Sequence, residues 1–234
     1  MLFSNHIIKT LVCAILWLLP AVAAHAQSIL FIDTHAHFDP PSICCFPAAA
    51  ESALAEMKRA NISKSVLMSP PQPKKGPNNY DIEELLPALM KYPDRFALLG
   101  GVSLNIMIHG TPPDAVSEQS RTAFRERAQK ILALGAVGFG EIAVEHFALP
   151  QMGPNHPYEA VPGDHPLLLL LADIAAEGDV SIDIHFDVIP EDMPLRPPMK
   201  SPPNPAQLRQ NLSAFERLLA HSRKAKFIWA HAGQ

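Results

Sequence analysis

The sequence predicts an α/β fold of the (β/α)8 TIM-barrel type, with about six of its βα strands present in this chain. Three observations predict it. Short apolar, β-branched runs alternate with longer segments of helical spacing, the texture of βαβ units on a parallel sheet. Strand candidates recur about every 30 residues or more, as crossover connections require. Residues able to bind metal stand where several of these apolar runs meet loops. Periodicity alone does not separate a doubly wound open sheet from a barrel. No Gly-rich phosphate loop follows the first strand, so a dinucleotide site has no support, and the chemistry at the strand ends favours the barrel.

Residues 1–26 are set aside first. Lys9 is the one charge before the apolar run Leu11 to Ala24, and Ala24-His25-Ala26 is a small-x-small cleavage pattern. This reads as a secretory signal peptide, placing the mature chain, 27–234, in the periplasm or outside the cell. The run is short for a membrane span, which needs about 20 apolar residues. No membrane association is expected after cleavage.

The elements follow in order. Ile29 to Thr34 is the first strand. Pro47 to Ala60 is a helix with Ala50, Leu54 and Met57 on one face. Ser65 to Ser69 is the second strand. Tyr80 to Lys91 is a helix keeping Ile82, Leu85, Leu86 and Leu89 in register. Phe96 to Val102 is the third strand, and Ala115 to Leu134 a long helix. Val137 to Ile142 is the fourth strand. Leu167 to Glu177 is a very apolar helix, with Gly178 suited to its end. Val180 to Phe186 is the fifth strand. Pro205 to Ser222 is a helix capped by Asn204 and started by Pro205. Phe227 to His231 is the sixth strand. Two long connections, Phe147 to Asp164 and Asp187 to Asn204, both follow strands, where a barrel builds its active-site face.

Composition narrows the class. Apolar residues are 48% and charged residues 18% of the chain, an ordinary globular balance that argues against disorder. The net charge of −4 and the lack of a basic patch argue against nucleic acid as a partner. Cys44 and Cys45 are adjacent and read as two small loop residues, so no disulfide framework is expected. The oligomeric state is left open, a homo-oligomer included.

The chemistry lies in Asp33-Thr34-His35-Ala36-His37. His35 and His37 are two apart on a strand, so both side chains share a face and can share one cation. Neutral imidazole is a good ligand for zinc. Other strands end similarly: Gly140-Glu141-Ile142 on the fourth, Asp183-Ile184-His185-Phe186-Asp187 on the fifth, Ala230-His231-Ala232 on the sixth. A buried carboxylate or imidazole is costly unless paired or bound to metal, and several strands carry one at the same end. Asp33 shares the parity of His35 and is a candidate partner to its ring, or caps a turn. Asp183 and Asp187 are candidate acid–base groups, with buried hydrogen bonding and loop capping as the plainer roles. Glu145 is placed in the barrel mouth. His146, His156 and His165 read as loop or helix-start residues, and His109 and His221 as surface residues.

These residues resemble the amidohydrolase superfamily. The Asp-Thr-His-Ala-His segment is similar to its first-strand signature, and the resemblance runs from Ile29 to Gly233. It implies a metal-dependent hydrolase with the ligand set His35, His37, Glu141, His185 and His231, among which Glu141, His185 and His231 also carry the catalytic roles. The implied cofactor is one or two divalent ions, zinc first. The Gly-Glu-Ile around Glu141 is similar to the TatD-type and phosphotriesterase-like branches, where that carboxylate bridges two metals. The rest resembles the amidohydrolase-related branch, where one metal is common. The family's eighth-strand Asp has no counterpart here, so the expectation is a fragment of a longer protein, with a short protein as the alternative.

The implied reaction is hydrolysis of an ester, amide, lactone or phosphoester bond in a small-molecule substrate. Non-oxidative decarboxylation of an aromatic or unsaturated acid is the second reading. A non-catalytic metal-binding remnant is the third.

Overall fold

The computed structural model describes residues 29–38, 45–72, 79–149, 151, 156–197 and 203–231. The signal-peptide expectation, Cys44 and the residues after His231 lie outside them. Six parallel strands form one sheet: β1 (Phe31–His37), β2 (Ile62–Met68), β3 (Phe96–Gly100), β4 (Gly138–His146), β6 (Ser181–Phe186) and β9 (Lys226–Ala230), in that spatial order. A two-residue strand, β5 (Glu159–Ala160), adds antiparallel to the end of β4. Strands β7 (Met193–Pro194) and β8 (Gln207–Leu208) make a small separate ladder within the connection that follows β6. The outer edges of β1 and β9 have no strand partner among the described residues, so the sheet is an open, barrel-like curl.

Helices connect the strands: α1 (Phe46–Arg59), α2 (Ile82–Lys91), α3 (Val102–Gly110), α4 (Glu118–Ala133), α5 (Pro166–Gly178) and α6 (Leu212–His221). Among the described residues, none is long and apolar enough to cross a membrane. Helix α5 is apolar nearly all round because it is buried nearly all round, with Leu167, Leu168, Leu170 and Leu171 inside. Fully burying each leucine contributes about 1.5–3 kcal/mol. Strand β4 is buried along its whole length, as expected of a central parallel strand covered on both faces.

The chain departs from the sequence-based expectations at identifiable places. Strand β1 extends through His37, because it pairs with β2 as far as Met68. Helix α3 is absent from those expectations. Its core-facing positions are Val102, Leu104, Asn105 and Ile108, and the buried asparagine breaks the apolar pattern. Helix α6 begins at Leu212, not at Pro205. Asn204 does not cap it. Its amide instead accepts from Ala148 N at 2.7 Å and donates to Ala148 O at 2.8 Å, tying the two long loops together. Asp179, not Gly178, takes the left-handed position that closes α5, at φ 53°.

Candidate metal centre

His35 and His37 near the end of β1, Glu141 within β4, His185 near the end of β6 and His231 just after β9 come together. Two groups form around one carboxylate: His35, His37 and Glu141, and Glu141, His185 and His231. Within each, the ligand-capable atoms lie within 4.8 Å of one another. Glu141 is almost fully buried, and its two oxygens face opposite ways. Oε2 lies 3.3 Å from His37 Nε2 and 3.5 Å from His35 Nε2. Oε1 lies 2.7 Å from His185 Nδ1 and 3.6 Å from His231 Nε2.

The outer nitrogens of the first pair decide its chemistry. His37 Nδ1 is 3.0 Å from Met68 O, which only accepts, so Nδ1 carries the hydrogen. His35 Nδ1 is 3.2 Å from Asp183 Oδ2, and a carboxylate assigns the hydrogen to Nδ1 in the same way. The two Nε2 atoms are then both lone-pair donors, yet they stand 3.2 Å apart beside a carboxylate oxygen. With His35 neutral, three lone pairs converge there and repel; a proton on His35 Nε2 or a metal cation among them relieves the repulsion. The donor set therefore fits a divalent cation, and imidazole with carboxylate suits zinc. A carboxylate on the far nitrogen of a ligating histidine is the usual means of fixing its tautomer.

Without a metal ion, protons take that place. Burial pushes the Glu141 carboxyl up, but hydrogen bonds from His185, His231, His35 and His37 outweigh it and hold it far below the usual carboxylate range. Burial lowers His35, and Asp183 and Glu141 more than reverse that, pushing it up to about 10. Burial likewise lowers His185, and Asp187 with Glu141 raise it to about 9. Groups that take protons this readily also draw metal cations, and protons compete with metal for the same atoms.

The neighbouring residues divide between support and surroundings. Asp33 does not partner the His35 ring. Its Oδ1 accepts from His35 N at 3.2 Å and its Oδ2 from the Ser65 hydroxyl, so it braces the irregular stretch of β1 and caps no turn. Asp183 is the ring partner, fully buried, and its Oδ1 has no hydrogen-bond partner among the described residues. Asp187 accepts from Phe147 N at 3.3 Å, and its Oδ2 lies 3.5 Å from His185 Nε2. Glu145 accepts from the Tyr158 hydroxyl at 2.8 Å and belongs to neither ligand group, and burial raises its carboxyl to about 7. His146 is buried and not a free loop residue. Its ring sits edge-on to His185 with centroids 4.5 Å apart, and burial lowers it to about 4. His156 accepts from Leu149 N, and His165 caps α5 through Leu167 N. His109 is not a surface residue: its Nε2 bonds Ala143 O at 2.9 Å. His221 is exposed and paired with Asp173.

Comparison with solved structures gives likenesses at low identity. One is a probable 2-pyrone-4,6-dicarboxylic acid hydrolase from Acinetobacter baumannii with citric acid bound. It is 15% identical, with 68% of this chain and 50% of that one covered and a TM-score of 0.35. Another is an uncharacterized TIM-barrel protein from Bordetella bronchiseptica, 14% identical, covering 86% and 66%, with a TM-score of 0.48. A third is described as an amidohydrolase II, 17% identical, covering 86% and 67%, with a TM-score of 0.46. The chain thus spans between 50% and 67% of the length of these three proteins. No family model matches the chain, and no curated protein matches it.

Proposed function

We propose that the protein to which this chain belongs is a metal-dependent hydrolase of the amidohydrolase type, acting on an ester, amide, lactone or phosphoester bond of a small molecule. The observation that carries the reading is Glu141, a buried carboxylate whose two oxygens each face a separate pair of histidines. That arrangement suits one or two divalent ions, zinc first. Bound there, a cation supplies Lewis acidity, which acidifies water and polarises a carbonyl or phosphoryl oxygen.

The chain's own residues do the rest. His35 and His37 offer Nε2 lone pairs, kept in that tautomer by Asp183 and Met68 O. Glu141 joins the two halves of the site. His185 is backed by Asp187 and His146, which limits its rotation. His231 is the most open member of the cluster, with 39% of its side chain exposed, which supports a role for it in contacting substrate. The proposed location is the periplasm or the exterior, following the N-terminal signal pattern.

The test is metal content followed by activity. Purified protein should carry zinc or take it up, and the double variant His35→Ala/His37→Ala should lose at least one ion. With metal restored, wild type should hydrolyse members of an ester, lactone and phosphoester panel. Turnover of aromatic acids with release of carbon dioxide, and of none of that panel, would replace hydrolysis by decarboxylation. Equal metal content in wild type and double variant would end the metal reading.

A further inference from the structure

We propose that Asn105 is a positioning residue for Glu141, its side-chain amide standing in for strand β3 where that strand stops short. The proposal deepens the metal-site reading and rests on it.

Strand β3 pairs with β4 only at Leu99 with Gly138 and Gly100 with Phe139. It then leaves the sheet. Gly101 opens helix α3, and a Cβ there would meet Gly140 O at 2.9 Å, so the chain turns hard against β4. Asp81 fastens this turn, accepting from Gly101 N at 2.9 Å and Ser103 N at 3.0 Å. On its β3 side, β4 therefore loses its neighbouring strand two residues before Glu141.

The other side is no more regular. Against β6, the register of β4 shifts between Phe139 and Ile142. Three steps on β4 match two on β6, the count of a bulge with Gly140 and Glu141 inside it. A bulge re-aims side chains and leaves ladder groups unpaired. The backbone that carries the shared carboxylate thus lacks regular strand pairing on both sides.

Asn105 fills the gap. Its Nδ2 donates to Glu141 O at 2.7 Å, and its Oδ1 accepts from Ala143 N at 3.0 Å. In a parallel ladder, one residue bonds the carbonyl before and the N–H after the residue opposite. The asparagine amide makes that same pair of bonds astride Ile142, from a helix. His109 lies one helical turn further on the same face and adds a bond to Ala143 O at 2.9 Å. Beyond it, Val161 N donates to Val144 O, and β5 resumes true strand pairing at Glu145 and His146. Asn105 is fully buried, which its amide tolerates because both ends are paired.

The consequence is geometric. The metal-facing oxygens of Glu141 can stay between the two histidine pairs only if its backbone is held, and Asn105 holds it. Loss of the amide should weaken metal binding beyond what general destabilisation explains, by about 10–100-fold, the usual effect of removing a partner that orients a metal ligand.

The experiment compares cobalt binding to the whole chain, read as a dissociation constant and as the visible absorption spectrum of the loaded protein. Asn105→Ala removes both bonds. Asn105→Asp keeps the shape and the acceptor for Ala143 N while losing the donor to Glu141 O, and it carries the test if the alanine variant does not fold. Phe124→Leu, at a buried apolar position of α4, is the stability control. The expected result is weaker binding and an altered spectrum for the Asn105 variants, with both unchanged for Phe124→Leu at a comparable loss of Tm. Wild-type affinity and spectrum in an Asn105 variant overturn this proposal alone. A wild-type chain that binds no cobalt overturns the metal reading, and this proposal with it.

Discussion

Replacing Asp183 by asparagine isolates the contribution of charge behind the first histidine. The Asp183 carboxylate lies 3.2 Å from His35 Nδ1 and is fully buried. The amide introduced by Asp183→Asn is nearly the same size, and its oxygen can still accept the hydrogen bond, so tautomer and packing persist. What disappears is a negative charge that strengthens His35 as an electron-pair donor. Partners of this kind are worth about 10–100-fold in metal affinity, or about 1.4–2.8 kcal/mol. The orphaned Oδ1 adds to the expectation, since no other described group offsets the lost charge through a bond to it. Zinc affinity should be measured by competition with a chromophoric chelator at fixed pH, on wild type and Asp183→Asn in parallel. Equal dissociation constants would refute the reasoning, because they would mean that His35 does not need its carboxylate and is not a ligand oriented by one.

Two further outcomes follow from the same contacts. In metal-free protein, His35 and His185 have folded values of about 10 and about 9, above their ordinary 6.5. Their contribution to stability is complete below about pH 6.5 and is lost as pH rises toward those values. Thermal unfolding in chelator should therefore show Tm falling across that interval, while metal affinity moves the opposite way and weakens on acidification; a flat Tm would contradict the buried ion pairs. Asn204→Ala strands the buried N–H and C=O of Ala148, which should cost about 2–4 kcal/mol. Urea unfolding measures it, and an unchanged midpoint would show that the two loops are not tied there.

The strands and the His35/His37 pair were legible in local pattern, while the set of five came from the family resemblance carried onto the strand ends. Apolar runs mark buried parallel strands, and His35 with His37 share a face by the period of two. Helix α3 was not legible, since Asn105 occupies a position where helical spacing calls for an apolar side chain. Its reason for being polar is a backbone defect in another strand, 36 residues later. The same holds for Asp183. Parity put it on the face of His185, but its partner His35 is 148 residues away, and nothing local separates it from Asp33 as the ring's companion. Strands β5, β7 and β8 have two residues each, too few for any period. Asn204 and Pro205 formed a sound helix-start signal that tertiary bonding to Ala148 overrode.

The first and last strands of the sheet lie at opposite ends of a six-strand row, yet the rings of His35 on β1 and His231 after β9 are 5.0 Å apart. The sheet is bent until its two extremes touch at one point, and that point is the cluster around Glu141. A ligand held by both His35 and His231 would therefore join the first strand of the row directly to the last, across a sheet whose backbone pairing links them only through four intervening strands.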